Sequence, residues 1–328
     1  MNKFFKIIRR LYTRPVEVFN NIFIRPKLND EQVLGKFYQL STQYDQTFSL
    51  FSAIGALERG SNGYSWDSWS GKIRSVFLNG VNLAFLSQPL IRFTMVLGGR
   101  GNAVHDAQLR IVSCLEIFGE ETTKNLLIED YIGLPIISDA KFMTSANRAH
   151  HASHLAYYYK LMGRNVWDSI SIVEWGGGYG NMARIIRRMN PKITYTIVDL
   201  PELLSLQYVY LGSIEGIENV NIVASEGDTI ASGKINLISS ELLLSDRFLL
   251  SCDLFISTWA ITECPAYIQE FVNEKEYFNA EDVFIASRID ENNRLQSLIS
   301  QKVMNKLTVP YLNEHHEYWA INRHDASA

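Results

Sequence analysis

The stretch from Ser171 to Leu200 holds the residues whose types and spacing most clearly suggest chemistry. A short apolar, β-rich run ends at Glu174, and four glycines follow it closely, namely Gly176, Gly177, Gly178 and Gly180. Glycine lets the backbone adopt positive φ and approach a ligand closely. Apolar residues then recur at helical spacing, at Met182, Ile185, Ile186 and Met189. A strand that enters a helix through a glycine-rich loop predicts a small-molecule site at that loop.

A second acid, Asp199, stands at the carboxyl end of the next β-rich run, 25 residues after Glu174. Parallel sheets place their ligands at this edge, where an acid can accept hydrogen bonds from ribose hydroxyls. The dinucleotide fingerprint G-x-G-x-x-G does not fit, because its last glycine would fall on Asn181 or on Ala183. The pattern acid-x-G-x-G-x-G resembles that of class I methyltransferases, in which the loop surrounds the methionyl part of S-adenosylmethionine.

Composition limits the partners and the cell compartment that this chain could have. The chain has 328 residues and a formal net charge of -4, which gives no overall attraction to nucleic acid. Its three cysteines, Cys114, Cys252 and Cys264, lack C-x-x-C spacing, so neither a disulfide framework nor a zinc knuckle is predicted. No apolar run reaches the roughly 20 residues of a membrane span, and no signal peptide is recognisable at the N-terminus. We expect a cytoplasmic protein.

The first 29 residues form a basic arm. Between Met1 and Lys27 there are seven basic residues and a single acid, Glu17. Apolar residues alternate with these charges at nearly helical spacing, so one interpretation is an amphipathic helix on an anionic membrane surface at the inner face of the cytoplasmic membrane. The other is an arm that packs on its own domain or on a second subunit of a homo-oligomer.

The hydrophobic periodicity changes near residue 165. Residues 30–165 have mostly helical periodicity, which predicts a helical N-terminal or lid domain. Residues 166–328 alternate between β-rich and helical segments and are predicted to form the cofactor-binding domain. Its fold class is α/β, a Rossmann-like doubly wound sheet that is mostly parallel, with the last strand, residues 318–322, antiparallel.

Three blocks of this second part resemble a bacterial family of sugar O-methyltransferases. They are V-E-W-G-G-G-Y-G-N-M-A-R, T-I-V-D-L-P-E-L-L-S-L-Q-Y-V-Y-L and D-L-F-I-S-T-W-A-I-T-E. The third departs from the family pattern at Ser257, Ala260 and Cys264 and keeps Glu263. The resemblance implies that Glu174 orients the loop or the cofactor's amino group, that the glycines line its methionyl part and that Asp199 holds the ribose diol. It further implies that Leu200 packs on adenine and that Ser239, Ser240 and Glu241 lie near the adenine end.

Methyl transfer to an alcohol needs alignment of the reacting atoms and a base for the hydroxyl proton. Glu263, six residues beyond the third block's strand, is one candidate. A second candidate is the histidine group His150, His151 and His154, because residues 150 and 154 share a helix face and histidine titrates near neutral pH. No third ligand accompanies this H-x-x-x-H spacing, so no metal site is predicted. His315 and His316 form a third option.

Aromatic residues concentrate in the segments expected near the cleft, where they would either stack on sugar rings or pack in the core. They are Tyr157, Tyr158, Tyr159, Trp175, Tyr179, Trp259 and Tyr267. Taken together, these features predict an S-adenosylmethionine-dependent O-methyltransferase acting on a sugar hydroxyl of a surface polysaccharide or glycan precursor, with S-adenosylhomocysteine as the second product. The alternatives are a methyltransferase of a non-sugar secondary metabolite and a non-catalytic scaffold in polysaccharide assembly.

Overall fold

The computed structural model describes residues 24–28, 30–53, 66–96, 103–245, 248–288, 305–310 and 316–322. Nearly all of the basic arm, and His315, therefore lie outside the described residues, and the membrane contact of the arm stays a prediction. Within the described ranges, no helix has the length and apolarity needed to cross a bilayer.

An eight-stranded sheet organises the second half of the chain. Its strands are β3 (Ser171–Trp175), β4 (Thr194–Asp199), β5 (Val220–Val223), β6 (Ile235–Ser239), β7 (Leu254–Thr258), β8 (Asp282–Arg288), β9 (Asn305–Thr308) and β10 (His316–Asn322). They lie in the order β5-β6-β4-β3-β7-β8-β10-β9, and the first six are mutually parallel. Strand β10 runs antiparallel to both of its neighbours. The predicted sheet and its antiparallel last strand are confirmed, whereas β9 was not expected.

Helices cover both faces of this sheet. In chain order they are α1 (Glu31–Ser41), α2 (Tyr44–Phe51), α3 (Trp66–Phe77), α4 (Pro89–Met95), α5 (Ala103–Leu127), α6 (Ala146–Met162), α7 (Asn181–Met189), α8 (Pro201–Glu215), α9 (Ser240–Leu244), α10 (Ala260–Glu263), α11 (Ala266–Glu274) and α12 (Glu276–Asn279). Strands β1 (Ile137–Asp139) and β2 (Thr144–Ser145) form a separate antiparallel pair before α6.

Alternate residues of each central strand enter different cores, because strand side chains point to opposite faces. Ile172, Ile197 and Ile256 belong to a core that also holds the apolar residues of α7 and α8. Val173, Val198 and Phe255 belong to a second core, packed under α9, α11 and α12. Burial on both faces explains why these strands read as continuous apolar runs.

The N-terminal helices pack on α8 and share the first core. Phe37 of α1 and Phe51 of α2 are buried in the same apolar cluster as Leu204 and Leu211 of α8. The phenol of Tyr44 donates a hydrogen bond to the carbonyl oxygen of Glu202 over 3.0 Å. The predicted helical N-terminal part is thus present, and its core is continuous with that of the sheet across the predicted boundary at residue 165.

A largely buried ion cluster links α6, α7 and α8 to the segment just after α5. The carboxylate of Asp130, just after α5, accepts hydrogen bonds from Arg148 of α6 at 2.9 Å and from Arg184 and Arg188 of α7 at 2.8 and 3.0 Å. Burial alone would raise the pKa of Asp130, but the three guanidinium groups hold it well below its usual range. Arg184 also pairs with Glu215 of α8. A charge pair this buried is costly to break, since the groups left behind lose their partner.

Asp130→Asn should therefore destabilise the fold strongly. The amide cannot neutralise three guanidinium groups, and we expect the free energy of unfolding to fall by about 3 kcal/mol or more. Urea unfolding followed by circular dichroism measures this. The control is Glu120→Gln, which removes an exposed ion pair with Lys141 and should leave the unfolding curve unchanged. Equal effects of the two substitutions would contradict a central role for Asp130.

Candidate functional site

The glycine loop lies between the carboxyl end of β3 and the first residue of α7. Gly176, Gly178 and Gly180 have φ of 81°, 58° and 95°, a region that favours glycine. A Cβ placed on Gly176 would lie 2.1 Å from the Cβ of Ala260 in α10, so this glycine is required by the protein's own packing. A Cβ on Gly178 would meet no atom within 4 Å. Gly178 is the loop position that opens toward free space.

Asp199 lies at the end of β4 and binds the glycine loop through a backbone hydrogen bond. Its Oδ2 accepts hydrogen bonds from the amide of Gly177 at 2.9 Å and from Nε2 of Gln207 at 2.8 Å. Its Oδ1 accepts from the amide of Leu200 at 2.8 Å. A carboxylate has about four acceptor positions. Asp199 therefore holds the loop in shape through both of its carboxyl oxygens.

Glu174 and Asp199 are two buried carboxyl groups that form no ion pair among the described residues. Burial raises the pKa of Glu174 to about 8, against the lowering effect of a hydrogen bond from the Tyr195 phenol at 3.0 Å. Burial likewise raises the pKa of Asp199 to about 7, against the hydrogen bonds that it accepts. Both groups favour the neutral form because no cation compensates their charge. The loop region therefore suits a positively charged ligand.

Two buried amide oxygens beside the loop also lack a hydrogen-bond donor among the described residues. They are Oδ1 of Asn181, the first residue of α7, and Oε1 of Gln207. The amide nitrogens of the same side chains are engaged, Asn181 with Nδ1 of His151 at 3.0 Å and Gln207 with the carbonyl oxygen of Gly178 at 2.9 Å. Buried acceptors without donors are costly. They call for a ligand that carries ammonium or hydroxyl groups.

The remaining predicted cofactor residues lie at the same sheet edge. Ser239 of β6 is the direct strand neighbour of Asp199. Its Oγ accepts from the amide of Leu242 and so caps α9, while the hydroxyl of Ser240 donates to Glu241. Leu200 precedes α8 and is partly exposed. Their predicted contacts with adenine remain untested, and their described contacts are structural.

Three histidines of α6 lie close together. The rings of His150 and His154 are 4.2 Å apart between centroids, and His151 lies 6.0 Å from each. Burial lowers the pKa of His150 and of His154 well below the usual value, and neighbouring histidines and Arg110 lower it further. The pKa of His151 is lowered to about 3, again chiefly by burial. All three rings are neutral at pH 7.

Trp259 connects these histidines to the glycine loop. It follows β7 directly and has φ of 75°, a strained conformation for a residue with a side chain. Its indole N–H donates to Nε2 of His150 over 3.2 Å, and the two rings are parallel within 5°. The next residue is Ala260, which contacts Gly176. The path from loop to histidine is therefore Gly176, Ala260, Trp259, His150.

The other candidate bases, Glu263 and His316, have different surroundings from the histidines of α6. Glu263, the last residue of α10, has an exposed side chain that engages in interactions of its own. His316 of β10 contacts the Trp259 ring edge-on at 5.5 Å between centroids. Among the described residues, no group of three or more His, Cys, Asp or Glu is arranged to hold a metal ion. The structure thus brings His150 and His154, and not Glu263, into a buried polar site.

Most of the aromatic residues expected near the cleft pack inside the protein. Tyr157 stacks on Tyr318, the Tyr158 phenol donates to Asp282, and Trp175 lies parallel to Phe278. Tyr179 is buried and accepts a hydrogen bond from Asn147. Trp259 contacts His150 and His154. Core packing thus accounts for most of the aromatic residues of this set.

No protein-family model matches the chain, and no curated protein matches it. Similar solved structures exist. An O-methyltransferase family protein from Burkholderia thailandensis is 11% identical, with 90% of this chain and 99% of that one covered and a TM-score of 0.37. Human N-acetylserotonin methyltransferase in complex with SAM is 11% identical, with 90% of this chain and 98% of that one covered and a TM-score of 0.33. The methyltransferase SibL in its apo form is 13% identical, with 88% of this chain and 96% of that one covered and a TM-score of 0.38.

At these sequence identities and TM-scores, the similarity assigns neither a reaction nor a ligand to this chain. The strand order and the antiparallel β10 carry the assignment of fold class, and the predicted Rossmann-like, doubly wound and mostly parallel sheet is confirmed.

Several residues of this site were not predicted from the sequence to have a functional role. Tyr195, Gln207 and Asn181 hold the acids and the loop, and Tyr318 holds His154. One signal was available for Asn181, which stands where a helix begins directly after the glycines. Tyr318 offered none, because its contact with His154 spans 164 residues of chain.

Glu174→Gln should change how stability depends on pH. The folded-state pKa of Glu174 is raised, so the folded state binds more protons than the unfolded state between about pH 4.5 and 8. This group therefore costs stability as the pH rises through that window, by a few kcal/mol at its upper end. We expect the variant to gain stability over wild type at pH 8 and to match it near pH 5. Urea unfolding at four pH values tests this, with the exposed Glu218→Gln as control. Parallel curves for wild type and Glu174→Gln would contradict the assignment.

Proposed function

We propose that this chain is an S-adenosylmethionine-dependent O-methyltransferase that acts on a sugar or glycan-precursor hydroxyl. The observation that carries the proposal is the packing contact between the glycine loop and the two residues Trp259 and Ala260, of which Trp259 binds a histidine of α6. Gly176 abuts Ala260, and the adjacent Trp259 binds His150. A cofactor on the loop and an acceptor at the histidines would therefore be neighbours, as methyl transfer requires.

The chemistry of the loop fits this cofactor. S-adenosylmethionine carries a sulfonium and an ammonium group, and it would supply the electrophilic methyl carbon when bound. Glu174 and Asp199 offer two buried carboxyl groups that no cation of the described residues pairs with. Asn181 and Gln207 offer two amide oxygens that have no donor in the same part of the chain. Asp199, at the carboxyl end of β4, lies where a parallel sheet places a ribose hydroxyl. Gly178, with open space at its Cβ position, leaves room for the methionyl part.

The histidines fit the acceptor side. Removal of the hydroxyl proton as the oxygen attacks needs an unprotonated base within hydrogen-bond reach. Neutral, buried His150 and His154 meet the first condition, and each keeps one ring nitrogen, Nδ1 and Nε2 respectively, that no described residue contacts by a hydrogen bond. The sugar nature of the acceptor rests on the family resemblance of the three sequence blocks. Glu263, exposed at the end of α10, remains an untested candidate.

Asp199→Ala should weaken cofactor binding. The substitution removes an acceptor for ribose and releases the Gly177 amide and Gln207, so we expect the Kd for S-adenosylmethionine to rise by roughly tenfold or more. Isothermal calorimetry with S-adenosylmethionine and S-adenosylhomocysteine measures it. Asp168→Ala, which removes a similar backbone cap at the far end of β3, is the control. Failure of the folded wild type to bind either compound would favour the scaffold alternative.

The acceptor is tested separately from the cofactor. Nucleotide-sugar and lipid-linked glycan fractions, incubated with the enzyme and methyl-labelled S-adenosylmethionine, should yield a labelled methyl ether detectable by mass spectrometry. Transfer that is confined to amines or to non-sugar hydroxyls would overturn the sugar assignment and leave the cofactor assignment intact.

A further inference from the structure

Asn181 lies between the glycine loop and the histidines of α6. It is the first residue of α7, directly after Gly180, and it is fully buried. Its Nδ2 lies 3.0 Å from Nδ1 of His151, and its Oδ1 is buried without a hydrogen-bond donor among the described residues. One polar atom of this carboxamide therefore contacts a histidine, and the other is left for a ligand.

His151 differs from the other two histidines in its exposure. His150 and His154 are 4% and 0% exposed, whereas His151 is partly exposed. Protein atoms still surround the ring of His151 closely enough to lower its pKa to about 3, and the charges of Arg148 and Arg110 add to this effect. His151 is thus a neutral ring at pH 7 that a molecule from solvent can reach.

A carboxamide and the Nδ1 atom of a neutral imidazole can form a hydrogen bond in two ways. In the first, the amide nitrogen donates to an unprotonated Nδ1, and the ring proton lies on Nε2. In the second, the carboxamide is turned by 180°, its oxygen accepts from Nδ1–H, and Nε2 is unprotonated. The structure has the first arrangement, in which Nδ2 of Asn181 faces His151. The orientation of the amide and the tautomer of the ring are therefore linked.

A ligand that donates a hydrogen bond to Asn181 would select the first arrangement. Such a donor satisfies the buried Oδ1, and it can do so only while Nδ2 faces His151. In the turned amide the same donor would meet the N–H groups of Nδ2, and two donors that face each other form no hydrogen bond. An N–H or O–H group bound at this position therefore fixes the ring proton of His151 on Nε2.

We infer that Asn181 is a positioning residue that couples cofactor binding to the tautomer of His151. An ammonium or hydroxyl group of S-adenosylmethionine donates to Oδ1, which keeps Nδ2 on Nδ1 of His151 and the ring proton on Nε2. His151 then meets an oxygen of the acceptor as a hydrogen-bond donor. This inference rests on the proposed function and adds a link between the cofactor side and the acceptor side of the same site.

Nitrogen chemical shifts of His151 test this coupling without any acceptor. The probe is S-adenosylhomocysteine, which carries the same ammonium and hydroxyl groups as the cofactor. In two-bond ¹H–¹⁵N spectra of the full-length histidine-labelled protein, assigned with His151→Asn, the complex should show an unprotonated Nδ1 and a protonated Nε2. Bound 5′-methylthioadenosine, which lacks the ammonium group, distinguishes the donors: the same spectrum indicates a hydroxyl, and a different one indicates the ammonium group.

Substitutions of Asn181 test the coupling independently. Asn181→Asp has two acceptor oxygens and no donor, so Nδ1 of His151 should become protonated in the free protein and in the complex alike. Asn181→Leu removes the acceptor and should raise the Kd for S-adenosylhomocysteine about tenfold. Asn190→Leu is the matched control, because it removes a carboxamide at the other end of α7, where Nδ2 donates to the carbonyl oxygen of Trp167. It should leave both the His151 spectrum and the Kd unchanged.

The outcomes separate this inference from the proposed function. If the folded wild type binds neither S-adenosylmethionine nor S-adenosylhomocysteine, the proposed function and the inference fail together. If it binds them with an unprotonated Nε2 on His151, only the inference fails. A Kd for Asn181→Leu equal to that of wild type would also overturn the inference and leave the proposed function intact.

Discussion

The largely buried ion cluster around the carboxylate of Asp130 is the interaction on which the geometry of this protein most depends. It lies where the N-terminal helices end and accepts hydrogen bonds from α6 and α7 at once. Helix α6 carries the histidines, and α7 begins at the glycine loop. An ion cluster is directional and intolerant of displacement, because a guanidinium that loses its carboxylate in the interior is left uncompensated.

Charge is distributed unevenly between the ion cluster and the ligand-facing part of the molecule. Around Asp130 the arginines are matched with carboxylates, and Arg148 pairs with Glu129 as well. Around the glycine loop, two carboxyl groups are buried with hydroxyl and amide donors only. The first arrangement stabilises a fixed structure, and the second leaves charge for a ligand to compensate. This contrast distinguishes structural from ligand-facing acids better than their position in the sequence does.

Local pattern in the sequence was enough to predict the sheet, the glycine loop and both strand-end acids. Apolar runs, glycine spacing and a proline at the start of α8 are short-range signals, and each of them reports on the segment that contains it. Contacts between distant segments carry no such signal. Nothing near Trp259 indicates that its indole reaches His150, 109 residues earlier, or that Tyr318 on β10 holds His154. The arginines of α7 had the same ambiguity, since charges on an amphipathic helix are normally solvated.

The contact between Gly176 and Ala260 makes the two halves of the site mechanically dependent. Because a Cβ on Gly176 would stand 2.1 Å from that of Ala260, the loop has no clearance on that side. Any shift of the loop toward α10 must displace α10, and with it the strained residue whose indole holds His150. The position of the loop and the position of the indole that holds His150 are therefore linked by packing alone. This link is a property of packing density, and it depends on the absence of a single methyl group at residue 176.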